Sequence, residues 1–122
     1  MLTFASMTAA RNAYWIPRAF LPLIQAMRGG WTYIMTNRPR GVLYIGVAAD
    51  IATRVGQHRI GKGSLFCRRY CLTRLVLAEQ HDRIDDAIRR EKMLKAWKRQ
   101  WKIDLIDATN PEWRDLWEVI NH

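Results

Sequence analysis

The sequence predicts an α+β fold: a small, mainly antiparallel three-stranded sheet flanked by helices, in β-β-α-β-α order with short helices closing the chain. Three observations predict it. Two runs rich in aromatic and β-branched residues, 31–36 and 42–47, are separated by the turn material Asn37-Arg-Pro-Arg-Gly41. A third run, 72–80, precedes a segment whose apolar residues Ile84, Ala87, Ile88, Leu94 and Trp97 recur with the period of a helix. Finally, 122 residues, 49% of them apolar, suffice for one core but not two.

The elements follow in order. The first two runs form a hairpin closed by Pro39 and Gly41. Asp50 caps a short helix from Ile51 to about Arg59 by accepting backbone N–H bonds, and Gly61-Lys-Gly63 breaks it. After the third strand, Asp82-x-x-Asp85 has the form of a capping box and opens a long helix over about 83–100. Asn110 and Pro111 suit the cap and first position of a further short helix. We expect a domain over residues 29–122. Residues 1–28 form an extension, loosely ordered or arising from a mis-assigned start, with Met7 and Met27 as alternative starts. Pro17 and Pro22 interrupt any helix there, and no small-x-small cleavage site follows its apolar stretch.

Charge speaks to partners. The net charge is +9, no acid precedes Asp50, and the gap between Asp50 and Glu79 holds Arg54, Arg59, Lys62, Arg68, Arg69 and Arg74. A field of this sign favours polyanions, with nucleic acid ahead of an anionic membrane surface. Cys67 and Cys71 are too few for a disulfide scaffold or a zinc site, and reduced thiols fit a cytoplasmic protein. No apolar run approaches the roughly 20 residues that span a bilayer.

Two positions break an apolar stripe. Ile84, Ala87, Ile88, Glu91 and Leu94 share one face of the long helix, so Glu91 turns toward the core or a cleft, where an unpaired carboxylate is costly. Its partner is a basic side chain or a metal. Ile51, Arg54, Val55 and His58 share a face of the short helix, with Arg54 and His58 one turn apart. If both helices pack on one sheet, acid, arginine and histidine converge. The plainer alternative is a partly buried Arg54–Glu91 ion pair. Gly46 marks a bend or a close backbone approach.

These residues resemble a known family. Tyr33-Ile, followed eleven residues later by Tyr44-Ile-Gly46 and then by Arg54 and His58, is similar to the signature of the GIY-YIG nuclease superfamily. The segments 41–47, Arg90-Glu-Lys92, 97–106 and 110–116 resemble its small stand-alone bacterial branch. Trp31-Thr-Tyr33 stands where Gly-Ile-Tyr would be, so only Tyr33 carries over. Val47 stands where repair nucleases of the superfamily place a lysine, leaving Lys62 or Arg68 to supply any such role. Asn110 is the nearest counterpart of an asparagine that some members use, nineteen residues beyond Glu91.

The resemblance implies a metal-dependent endonuclease that hydrolyses phosphodiesters with water, acting on nucleic acid, DNA ahead of RNA. It implies one divalent ion, Mg²⁺ or Mn²⁺, held by Glu91, since Mg²⁺ keeps several waters and takes phosphate oxygens as ligands. Arg54 would contact the scissile phosphate in planar geometry. Tyr33, Tyr44 or His58 would orient or deprotonate the water; a tyrosine, with its ordinary pKa near 10, needs neighbouring cations for that task. Gly46, Arg68, Arg69, Lys95, Lys98 and Lys102 are the expected nucleic-acid contacts. Trp97 and Trp101 form a packing ridge or, alternatively, stack on an unpaired base. Two rivals remain: a catalytically inactive nucleic-acid-binding module of the same fold, and a membrane-surface protein driven by the basic N-terminus.

Overall fold

The computed structural model describes residues 29–120. Its elements are β1 (Gly30–Thr36), β2 (Leu43–Ala48), α1 (Ile51–Arg59), α2 (Leu65–Tyr70), β3 (Arg74–His81), α3 (Ile84–Ala96), α4 (Arg99–Thr109) and α5 (Trp117–Ile120). The strands pair antiparallel in the order β2-β1-β3, which is the α+β sheet that the sequence predicts. The N-terminal extension lies outside the described residues.

Strand alternation divides the interior into two layers. Ile34 and Ile45 face Leu94, Ile103, Ile106 and Trp113, so α3 and α4 cover one side of the sheet. Tyr33 and Met35 face Ile51, Val55, Cys67 and Leu72, so α1 and α2 cover the other. A bulge in the β1–β3 pairing between Ile34 and Met35 sends the consecutive residues Val76 and Leu77 into the same layer, while Leu75 serves the opposite one.

Asp50 caps α1 as expected, accepting from the Thr53 N–H at 3.1 Å. Other expectations change. The long helix ends at Ala96 and a second begins at Arg99, although neither Gly nor Pro intervenes. Leu94 and Ile103 both enter the same layer. Nine residues at about 100° each would place them half a turn apart on one continuous helix, so the chain must break. Asp82 does not cap α3; Arg83 occupies that position with no side-chain cap bond, and Asp85 and Asp86 supply first-turn negative charge. Asn110 ends α4 instead of starting a helix at Pro111. Its buried amide donates to the carbonyls of Val76 and Arg114 and accepts from the Arg114 N–H, stapling the tail to β3. Among the described residues no helix is long and apolar enough to cross a membrane.

Candidate active site

The site begins with a buried cross-element hydrogen bond. Tyr33 of β1 and His58 of α1 meet at 2.9 Å between Oη and Nε2, with Tyr33 fully buried and His58 only 1% exposed. The Ser64 N–H donates to His58 Nδ1 at 3.3 Å. With Nδ1 accepting, the ring proton sits on Nε2 and is donated to Tyr33. Both ring nitrogens are therefore engaged. Two glycines make the space. A Cβ on Gly46, directly across from Tyr33 in β2, would sit 2.5 Å from the phenol carbon and oxygen. A Cβ on Gly63 would collide with His58 Nδ1. Gly46 is thus glycine because the Tyr33 ring fills the space beside its Cα.

Arg54 stands beside this pair. Its guanidinium donates to Gln57 Oε1 at 3.1 Å, and among the described residues it has no carboxylate partner. Burial and the Arg54 charge together hold the His58 pKa down to about 4. Burial raises the Tyr33 phenol well above its ordinary range, against the pull of Arg54, and takes the Cys67 thiol up to about 11. Both cysteines are free. Tyr44 is the accessible tyrosine: half-buried, its ring edge meets His58 at 5.4 Å and its face stacks on Phe66 at 6.2 Å. Its hydroxyl has no protein partner among the described residues.

Glu91 comes from a different helix, α3. Helix α3 packs on the opposite side of the sheet from α1, and among the described residues no Arg54–Glu91 ion pair forms. The edge strand β2 touches both helices and is their common boundary. The Glu91 side chain is 16% exposed and has one described cationic neighbour, Lys95 Nζ at 3.5 Å. That contact is long and its lysine is mostly in water, which makes it worth about 0–1 kcal/mol. No group of three His, Cys, Asp or Glu suited to a metal occurs among the described residues. A lone, half-buried, weakly held carboxylate does not suit zinc, but it does suit a hard cation that retains its waters.

The expected nucleic-acid contacts fall on two surfaces. Arg68 and Arg69 are exposed on α2, and Lys62 is exposed in the loop before it. Lys95 and Lys98 are exposed at the end of α3 and beyond it, whereas Lys102 is half-buried on α4. The tryptophan ridge is split: Trp97 packs against the core, while Trp101 is 51% exposed, edge-on to Trp97 with Lys98 over its ring. Asn110 is fully occupied in tying down the tail. Sequence reasoning missed Gly63 and Ser64 as the groups that seat His58. Their signal was the Gly61-x-Gly63-Ser64 run, legible as a helix breaker but silent on what it enclosed.

Residues 29–104 match the GIY-YIG catalytic domain. The UPF0213 protein of Staphylococcus saprophyticus subsp. saprophyticus is 36% identical over 66 residues, 54% of this chain and 80% of the relative. UPF0213 proteins of Staphylococcus aureus strains Mu50 and N315 are 35% identical over the same extent. No solved structure matches the chain significantly. The domain match begins one residue before β1 and ends within α4, so it takes in Tyr33, Tyr44, Arg54, His58 and Glu91. The chain belongs to the GIY-YIG nuclease family.

Proposed function

We propose that the protein is a divalent-metal-dependent endonuclease that hydrolyses phosphodiester bonds in nucleic acid, DNA ahead of RNA, with water as nucleophile. The observation that carries this reading is Arg54: a half-buried guanidinium without a carboxylate partner among the described residues, beside the buried Tyr33–His58 pair. A structural arginine at such depth is ordinarily paired. Here its planar donors are left for a phosphate, to which they would bind in a charge-assisted, two-pronged geometry.

In this reading Arg54 binds and orients the scissile phosphate. Tyr44 holds the attacking water through its hydroxyl, which has no protein partner among the described residues. Tyr33 is sealed from water, and His58 has no free nitrogen lone pair in this arrangement; they position the face against which Arg54 and Tyr44 work. Glu91 would hold the ion, Mg²⁺ or Mn²⁺, displacing its loose contact with Lys95. When bound, the ion supplies Lewis-acid stabilisation of charge on the phosphate and leaving oxygen. Arg68, Arg69, Lys95, Lys98 and Lys102 would neutralise backbone phosphates.

The test is a labelled panel of structured DNA and RNA, incubated with Mg²⁺ or Mn²⁺ and with chelator. Metal-dependent cleavage that is abolished in Arg54→Lys, while the fold survives, supports the reading. Binding without cleavage across the panel would replace it with an inactive binding module.

A further inference from the structure

Helix α2 was not expected from the sequence, and it presents aromatic rings to solvent. Phe66 is 42% exposed and Tyr70 41%, one helical turn apart and with ring centroids 4.8 Å apart. Phe66 in turn stacks on Tyr44 at an interplanar angle of 29°. The three rings make a row that starts at the candidate active site and runs outward along α2. Cys67, next to Phe66 in the chain, is buried in the core, so α2 is anchored while the two rings stay exposed. The two exposed rings in contact make an apolar surface larger than a single stray ring.

We infer that the Phe66–Tyr70 face of α2 is a stacking platform for unpaired nucleobases of a nucleic-acid strand whose phosphate lies at Arg54. The inference rests on the nuclease reading and adds to it a base-binding subsite. Charge selects the occupant. The Arg69 guanidinium borders the rings, lying 5.6 Å over that of Tyr70, and Arg68 adds a second exposed positive charge on the same helix. Exposed aromatics bordered by arginines match a strand that offers bases and phosphates together. A second copy of this chain carries +9 and is repelled. Residues 1–28 hold Arg11, Arg18 and Arg28 with no acid, and are repelled likewise. Stacking tolerates any base, so the platform favours unpaired strand over duplex without reading sequence.

The experiment measures binding of the full chain, in chelator, to a labelled oligothymidylate, an abasic strand of equal length and a blunt duplex. Oligothymidylate is expected to bind about tenfold or more tighter than the abasic strand. Phe66→Leu and Tyr70→Leu keep apolar volume but remove the π face. Each should cut oligothymidylate affinity by about fivefold or more and leave abasic-strand affinity unchanged, because Arg68 and Arg69 remain. Thermal melts accompany both variants, and Tyr70→Leu, which does not touch Tyr44, carries the test if Phe66→Leu loosens the fold. Equal wild-type affinity for thymidylate and abasic strands overturns the platform, as does wild-type affinity in a folded Tyr70→Leu chain. A base preference that depends on Phe66 and Tyr70, without cleavage in Mg²⁺, would leave the platform standing and sink the nuclease reading. Cleavage without base preference would do the reverse.

Discussion

The Tyr33 hydroxyl and His58 Nε2, 2.9 Å apart and both sealed from water, tie the central strand to α1. Gly46 makes room for one partner and Gly63 for the other. The bond therefore depends on four residues, from β1, β2, α1 and the loop before α2. A neutral imidazole in that position keeps Arg54 from sharing its pocket with a second cation.

That neutrality has a pH signature. An unfolded histidine titrates near 6.5, whereas folded His58 stays neutral down to about 4. Between these values the unfolded chain binds a proton that the folded site refuses, so stability falls as pH drops from about 6.5 to 4. The full effect is about 3 kcal/mol, and above pH 6.5 the contribution is flat. Denaturant melts between pH 7 and 4.5 should show this slope, and it should be shallower in His58→Gln. An identical slope in the variant would place the titration on other groups.

Gly46→Ala should destabilise the fold by about 1–3 kcal/mol, the usual cost of overpacking a filled site. For a domain of this size that lowers Tm by roughly 4–8 °C per kcal/mol. The clash is with the Tyr33 ring itself. Adding Tyr33→Leu should therefore remove part of the penalty, giving a coupling beyond about 0.5 kcal/mol in a double-mutant cycle. Strict additivity would mean that Gly46 is required for some other reason.

Much of this site was legible in the sequence because helical spacing placed Arg54 and His58 on one face of α1, and the structure keeps them together beside Tyr33. The same periodicity could not say which side of the sheet each helix covers, and α1 and α3 prove to pack on opposite faces with β2 touching both. The break after Ala96 was hidden for a related reason: it arises from two apolar stripes half a turn out of phase, not from Gly or Pro. Helix α2 is only six residues long, too short for periodicity to register. Its one local signal was Ser64, whose hydroxyl accepts from the N–H groups of Phe66 and Cys67.

The domain boundary proposed near residue 29 predicts that a chain beginning at Met27 keeps its cooperative unfolding and its Tm. β1 starts at Gly30 and is paired along both edges by β2 and β3. A large fall in Tm on truncation would show that residues 1–26 complete the core.

Nucleic-acid affinity should fall linearly in a log–log salt titration, since neutralised phosphates release counterions. Replacing Lys95, Lys98 and Lys102 together by Ala should reduce the slope by about one unit for each phosphate that is no longer neutralised. Lys102 is half-buried and Lys98 lies over Trp101, so melts on the same variant are needed to confirm an intact fold. An unchanged slope would make this face a solvated surface and move the phosphate-binding role to α2.

Glu91→Gln separates an enzyme from a binder. The substitution keeps shape and hydrogen-bonding capacity while removing the charge that would hold a divalent ion. Its loss should cost little stability, because the one described cation near Glu91 is an exposed lysine at 3.5 Å and no Arg54 pair exists to break. Breaking a buried pair would instead cost about 3–5 kcal/mol. Cleavage should fall by several orders of magnitude while nucleic-acid affinity in chelator persists or rises, since a repulsive charge near the phosphates has gone. A folded Gln chain that cleaves at the wild-type rate would remove Glu91 from the mechanism. A Gln chain that melts several degrees lower and loses binding as well would show that the carboxylate holds the fold across β2.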